Sequence, residues 1–167
     1  MLPNAAKLDR MTRPVYWNFA VGVGVGAAVA FTSAMGRRRI LLVDDDEETR
    51  DVFRDLLADA GYDVMVAANG TEACRALAGF RADLVVTDLE MPGMDGLQLI
   101  RWLRTARPSC SILLVTGRSD RELQLCRFGR LTGFECMQKP LDVDRFGQTV
   151  QRLTSSVYRG AERKMAG

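Results

Sequence analysis

Leu84-Val85-Val86-Thr87-Asp88-Leu89-Glu90-Met91-Pro92-Gly93-Met94-Asp95-Gly96 is the stretch on which the fold turns. Residues 84–87 form a short apolar and β-branched run with no polar face, as in a parallel-sheet strand buried on both sides. Asp88 falls at the carboxyl end of that run. Met91-Pro92-Gly93 supplies a turn. Beyond it Leu97, Ile100 and Leu103 recur at helical spacing. The order is strand, acid, turn, helix.

The same order recurs on either side. Residues 39–43 read as a strand followed by Asp44, Asp45 and Asp46. A helix over about 47–60 follows, with Val52, Phe53, Leu56, Leu57 and Ala60 on one face and Gly61 as its stop. Residues 64–67 make a second strand, and 71–78 a short helix closed by Gly79. After Pro108, residues 112–115 form the fourth strand. A helix is expected over 121–128, a weaker fifth strand over 134–138, and a last helix carrying Val143, Phe146, Val150, Leu153 and Val157. Five strand–helix repeats with short connections predict an α/β, doubly wound, five-stranded parallel sheet with helices on both faces. In such sheets ligands sit at the carboxyl ends of the strands.

Composition narrows the function. Apolar residues make up 47% and charged residues 26% of the 167-residue chain, as in an ordinary globular domain. Of the 23 basic and 21 acidic residues, three and one lie before Arg37, leaving 20 of each beyond it. A neutral domain offers no electrostatic footprint for nucleic acid. There is no histidine, and Cys74, Cys110, Cys126 and Cys136 form no C-x-x-C pair, which argues against the usual zinc sites and histidine triads. Reduced thiols are the expectation, with disulfide pairing as the alternative.

The strand ends hold the chemistry. Asp44 and Asp45 after the first strand and Asp88 after the third converge on one pocket if those strands are adjacent. Crowded carboxylates repel unless a cation neutralises them, and hard oxygen ligands at a partly open site suit Mg²⁺. The fourth strand ends in Thr116, a hydroxyl donor, and the fifth is followed by Lys139-Pro140. Acids, a hydroxyl and an ammonium at successive strand ends fit phosphoryl transfer to a carboxylate. Taken singly, each has a blander role: Asp88 or Thr116 as a helix cap, Lys139 as a solvated charge, and Asp46, Glu47 and Glu48 as acids favouring a helix N-terminus.

Residues 40–46 (Ile-Leu-Leu-Val-Asp-Asp-Asp), 84–96, Thr116-Gly117 and Lys139-Pro140 together resemble the response-regulator receiver family of two-component signalling, over about residues 38–157. The resemblance implies a flavodoxin-like fold with strand order 2-1-3-4-5. It implies that Asp88 accepts a phosphoryl group from a sensor histidine kinase or histidine phosphotransfer protein. It also implies that Asp45, Asp88 and the Glu90 backbone carbonyl ligate Mg²⁺, with Asp44 acting mainly through water. Thr116 and Lys139 would contact the phosphoryl oxygens, and the small Gly117 would leave room for them. Glu90 and Arg118 occupy positions that tune dephosphorylation in the family. One departure stands out: Cys136 replaces the aromatic residue often found three positions before the lysine.

Three segments follow: an N-terminal extension over 1–36, the receiver over 37–157 and a basic tail over 158–167. The extension contains an uncharged stretch, residues 14–36, with basic residues on both sides. Its length suits a membrane-spanning helix that would tether the domain to the inner face of a membrane. It also reads as an exported leader, or as a spurious extension ahead of a start at Met35. The expectation is a stand-alone phosphorelay switch, a phosphoacceptor rather than an enzyme, acting in the cytoplasm by protein contact with a downstream target or as a homodimer. The exposed flank of the last helix together with the preceding helix, which carries Arg127 and Arg130, is the expected partner face. The alternatives are a Mg²⁺-dependent phosphatase or hydrolase with an aspartyl-phosphate intermediate, and a docking module independent of phosphorylation.

Overall fold

A computed structural model describes residues 37–117 and 133–165, with side chains through Ser155. The expected helix over 121–128, Arg118, Arg127, Arg130, Cys126 and the segment 14–36 lie outside these residues. The described elements are β1 (Arg39–Val43), α1 (Glu47–Asp59), β2 (Asp63–Ala67), α2 (Gly70–Gly79), β3 (Leu84–Asp88), α3 (Gly96–Ala106), β4 (Ser111–Thr116), β5 (Glu135–Gln138) and α4 (Val143–Met165). The strands form one parallel sheet in the order β2-β1-β3-β4-β5. This is the flavodoxin-like arrangement expected from the sequence.

Strand alternation divides the core into two layers. Ile40, Leu42, Val86, Leu113, Val115 and Met137 face α1 and α4, where they meet Leu57, Phe146, Val150 and Leu153. Leu41, Val43, Val85, Ile112 and Leu114 face α2 and α3, where they meet Ala73, Leu77, Leu99 and Leu103. Because both faces are covered, the central strands carry apolar residues without a break. Each large side chain so buried contributes about 1.5–3 kcal/mol relative to exposure. Phe146 is fully buried and meets Phe53 edge to face, with ring centroids 4.9 Å apart.

Caps set where the helices begin. Asp46 caps α1 by accepting from the Thr49 amide, with Glu47 and Glu48 in the first turn. Asn69 caps α2, and Asp95 with Gln98 forms a reciprocal capping box on α3. The stops are less uniform. Gly61 adopts a φ of 92° after α1, as a glycine stop requires, whereas Gly79 is the last residue of α2 and Phe80 is its C-cap.

Other differences concern faces and ends. Val52 is 46% exposed, although Phe53, Leu56 and Leu57 of the same helix pack inward. It leads Phe53 by one residue, or about 100° of arc, and so falls on the border of the apolar stripe. Val143, the first residue of α4, is likewise exposed. Helix α4 runs through Met165, so the helix does not stop at Val157 as the domain boundary implied. Cys74 and Cys110 are free, as expected, but Cys136 is disulfide-bonded, which corrects the expectation of reduced thiols. Among the described residues no helix is long and apolar enough to cross a membrane.

Candidate functional site

Hydrogen-bonded neighbours β1 and β3 bring Asp44, Asp45 and Asp88 to one end of the sheet. One carboxylate oxygen from each lies within 4.8 Å of the others, a donor set that could hold a metal ion. Asp44 and Asp88 are buried and Asp45 is exposed, so the cluster opens to solvent on one side. All three are hard oxygen donors, as Mg²⁺ prefers. Glu90 is exposed two residues beyond Asp88, and no N–H among the described residues is bonded to its carbonyl.

Each acid is aimed by its surroundings. Asp44 Oδ1 accepts from the Asp46 amide at 3.0 Å, and the Asp44 carbonyl accepts from Arg50 Nη1 at 2.6 Å. Asp88 Oδ1 accepts from the Leu89 amide at 2.7 Å, which leaves Oδ2 facing the pocket. Gly96 lets the following loop fold back on the strand. A Cβ there would lie 2.2 Å from the Asp88 carbonyl oxygen and 3.0 Å from Leu89 Cα. Gly93 adopts a φ of 77° in the turn between them.

Lys139 closes the cluster from β5. Its Nζ donates to Asp88 Oδ2 at 2.7 Å and to Asp44 Oδ2 at 3.2 Å. Its backbone amide donates to the Thr116 carbonyl at 2.7 Å, and the Lys139-Pro140 peptide is cis. Burial pushes the Asp44 pKa above 3.8, against the opposing pull of the Asp46 amide and the Lys139 ammonium. Burial also works against the Lys139 charge, but the hydrogen bonds and charges of Asp88 and Asp44 outweigh it and raise its pKa above 10.5. Thr116 ends β4 fully buried, and its hydroxyl has no partner among the described residues. Half-buried Gly117 follows it.

The structure therefore brings together Asp44, Asp45, Asp88 and Lys139 and sets Thr116 at the end of the strand between β3 and β5. Arg50 was not anticipated. A helical arginine six residues after an aspartate carries no signal in the sequence that it reaches back to that aspartate's carbonyl. A larger groove of about 570 Å³ lies at the opposite end of β4 and β5, lined by Ser111, Gly133, Glu135 and Arg152. Among the described residues that line it, the acid and the base, Glu135 and Arg152, are paired with each other.

A five-stranded 2-1-3-4-5 sheet with an acidic triad and a lysine at its carboxyl end defines a receiver domain, and the chain belongs to the response regulator receiver domain family, whose family model matches residues 40–151. Among relatives, the DNA-binding transcriptional regulator NtrC of Escherichia coli strain K12 is 33% identical over 121 residues, which are 72% of this chain and 26% of NtrC. The chain thus spans about a quarter of the length of that regulator. Sporulation initiation phosphotransferase F of Bacillus subtilis strain 168 is 30% identical over 120 residues, 71% of this chain and 94% of that protein. The solved chemotaxis response regulator CheY4 of Vibrio cholerae superposes with a TM-score of 0.63 at 29% identity, covering 71% of this chain and 99% of CheY4.

Proposed function

We propose that this chain is a phosphorelay switch in which Asp88 accepts a phosphoryl group from the phosphohistidine of a sensor kinase or phosphotransfer protein. The observation that carries it is the position of Asp88 Oδ2, buried at a strand end, 2.7 Å from a lysine ammonium and beside two further carboxylates. In the transfer, an Asp88 oxygen attacks phosphorus, a P–O bond forms and the P–N bond to the imidazole breaks. A Mg²⁺ held by Asp45, Asp88 and the Glu90 carbonyl, with Asp44 through water, would supply the positive charge that offsets repulsion between carboxylate and phosphoryl oxygens. Lys139 keeps the neighbouring carboxylates neutralised and can pass its hydrogen bond to a phosphoryl oxygen. The unpartnered Thr116 hydroxyl can donate to another.

The surrounding assignments belong to the same proposal. The receiver covers residues 37–157, acts through contact with a downstream protein or a second copy, and is a phosphoacceptor rather than a turnover enzyme. It works in the cytoplasm, with residues 14–36 as a tether to the membrane's inner face. Intact mass after treatment with acetyl phosphate and Mg²⁺ tests the central claim. Wild type should gain one phosphoryl group, and EDTA or Asp88→Asn should abolish the gain. Equal labelling of the Asn variant would refute the assignment.

A further inference from the structure

The loop between β3 and α3 carries the Glu90 carbonyl; Met91 beside it is buried in the core, and backbone hydrogen bonds hold the loop's two ends. The Leu89 amide donates to the Val115 carbonyl at 3.0 Å, and the Gly96 amide to the Leu89 carbonyl at 3.0 Å. Between those pins Glu90, Pro92 and Gly93 are exposed. The part of the loop that leads into α3 is held from the side by the start of α2. There the Gly70 amide donates to the Met94 carbonyl at 3.2 Å. One turn further along α2, Cys74 Sγ lies 3.9 Å from Met94 Sδ.

Gly70 is buried, and its φ is not positive, so backbone conformation does not require glycine there. Close approach does. A Cβ on residue 70 would lie 2.5 Å from Met94 Cγ, 2.9 Å from Met94 Cβ and 2.7 Å from the Met94 carbonyl oxygen. The methionine side chain can swing aside. The carbonyl belongs to the loop backbone and can move only with the loop. The carbonyl distance of 2.7 Å falls about 0.7 Å short of the 3.4 Å at which ordinary contact begins.

We infer that Gly70 is a positioning residue for the metal site: the side-chain-free start of α2 seats Met94 and thereby sets where the loop presents the Glu90 carbonyl. The inference rests on the reading of Asp45, Asp88 and that carbonyl as the Mg²⁺ ligands. Mg²⁺ demands near-ideal octahedral geometry, with ligands at about 2.0–2.1 Å, so a loop shift of several tenths of an ångström is enough to lose one ligand. Groups that orient ligands from behind typically change metal affinity by about ten- to a hundredfold when altered.

The test is Mg²⁺ titration by calorimetry on the full chain, beside thermal melts of the metal-free protein and acetyl phosphate labelling of Asp88. Gly70→Ala should raise the Mg²⁺ Kd about tenfold, while labelling at saturating Mg²⁺ returns close to the wild-type rate. Gly79→Ala is the control, because it makes the same change in the same helix where a Cβ meets nothing within 4 Å. It should bind Mg²⁺ as wild type does. A wild-type Kd in Gly70→Ala, or an equal weakening in Gly79→Ala, overturns the inference. If Gly70→Ala does not fold, Met94→Ala decides: it removes the seated thioether without adding bulk and should weaken Mg²⁺ several-fold, and a wild-type Kd there is equally fatal. Wild type that neither binds Mg²⁺ nor labels on Asp88 would instead refute the proposed function.

Discussion

Replacing Lys139 by methionine keeps most of the side chain's length and removes its charge. In the native protein the ammonium bridges Asp88 and Asp44, which are 9% and 5% exposed. Without it two buried carboxylates face each other uncompensated. Breaking a fully buried ion pair costs about 3–5 kcal/mol. The lysine side chain is 37% exposed, so solvent screens part of the effect, and a loss of about 1–2 kcal/mol is the realistic expectation. For a domain of this size that is a fall in Tm of roughly 3–10 °C.

Both the pH and the metal dependence of that deficit follow. The folded Lys139 pKa lies above 10.5, so its contribution is fully present below 10.5 and is lost as pH rises through the folded value. Wild type and variant should therefore differ near neutral pH and converge in strong alkali. Mg²⁺ should narrow the gap, because it meets the same unbalanced carboxylates and, with the competing ammonium gone, binds the variant more tightly. At ten times its Kd a ligand stabilises the folded state by about 1.4 kcal/mol. The assay is thermal or urea unfolding with EDTA and with Mg²⁺. An unchanged melt in EDTA, or a deficit that Mg²⁺ widens, would refute the electrostatic account.

Asp44→Asn should do the opposite. Burial raises the Asp44 pKa above 3.8, so the native state carries this charge at a cost that appears as pH rises through the window from 3.8 to the folded value. The amide removes the cost and can still accept from the Asp46 amide. Metal-free protein should melt higher near neutral pH, with its stabilisation by Mg²⁺ diminished; a lower melt would count against the account. Gly96→Ala forces a Cβ to 2.2 Å from a backbone oxygen, and should cost about 3 kcal/mol, the upper end for overpacking, in urea unfolding. A loss under about 0.5 kcal/mol, the range of neutral surface changes, would show that the loop relaxes freely.

What could be read from the chain, and what could not, divides along physical lines. The strands were legible because both-face burial leaves an unbroken apolar run, and Ile40 to Val43 and Leu84 to Thr87 are such runs. The acids were legible because parallel strands put their carboxyl ends side by side, so residues 44 and 88 must meet if β1 and β3 pair. Asp46 at a helix N-terminus followed from its place before an apolar helix, though its capping hydrogen bond did not. The exposure of Val52 was hidden because hydropathy does not say where a stripe ends. Continuation of α4 past Val157 was hidden because polar residues are compatible with either helix or tail. The contacts of Arg50 with Asp44 and of Gly70 with Met94 depend on how loops approach helices in space, which periodicity does not encode. Cys136 was misjudged for a related reason: irregular spacing says nothing about which thiols the fold brings together.

The buried hydroxyl of Thr116, without a partner among the described residues, has a consequence for how readily the domain changes state. An unsatisfied buried hydroxyl costs about 1–3 kcal/mol, and under the proposed phosphoryl transfer that cost would fall on the unmodified form. An acceptor oxygen arriving within reach of Thr116 relieves it. If about 1.4 kcal/mol is relieved, the equilibrium between resting and rearranged conformations moves tenfold towards the latter. Linkage makes the bias reciprocal: whatever draws Thr116 into its rearranged position, including a partner bound at a distance, favours the acceptor's arrival by the same factor. Under the proposed function, the set point of the switch would then be adjustable at a single interior side chain.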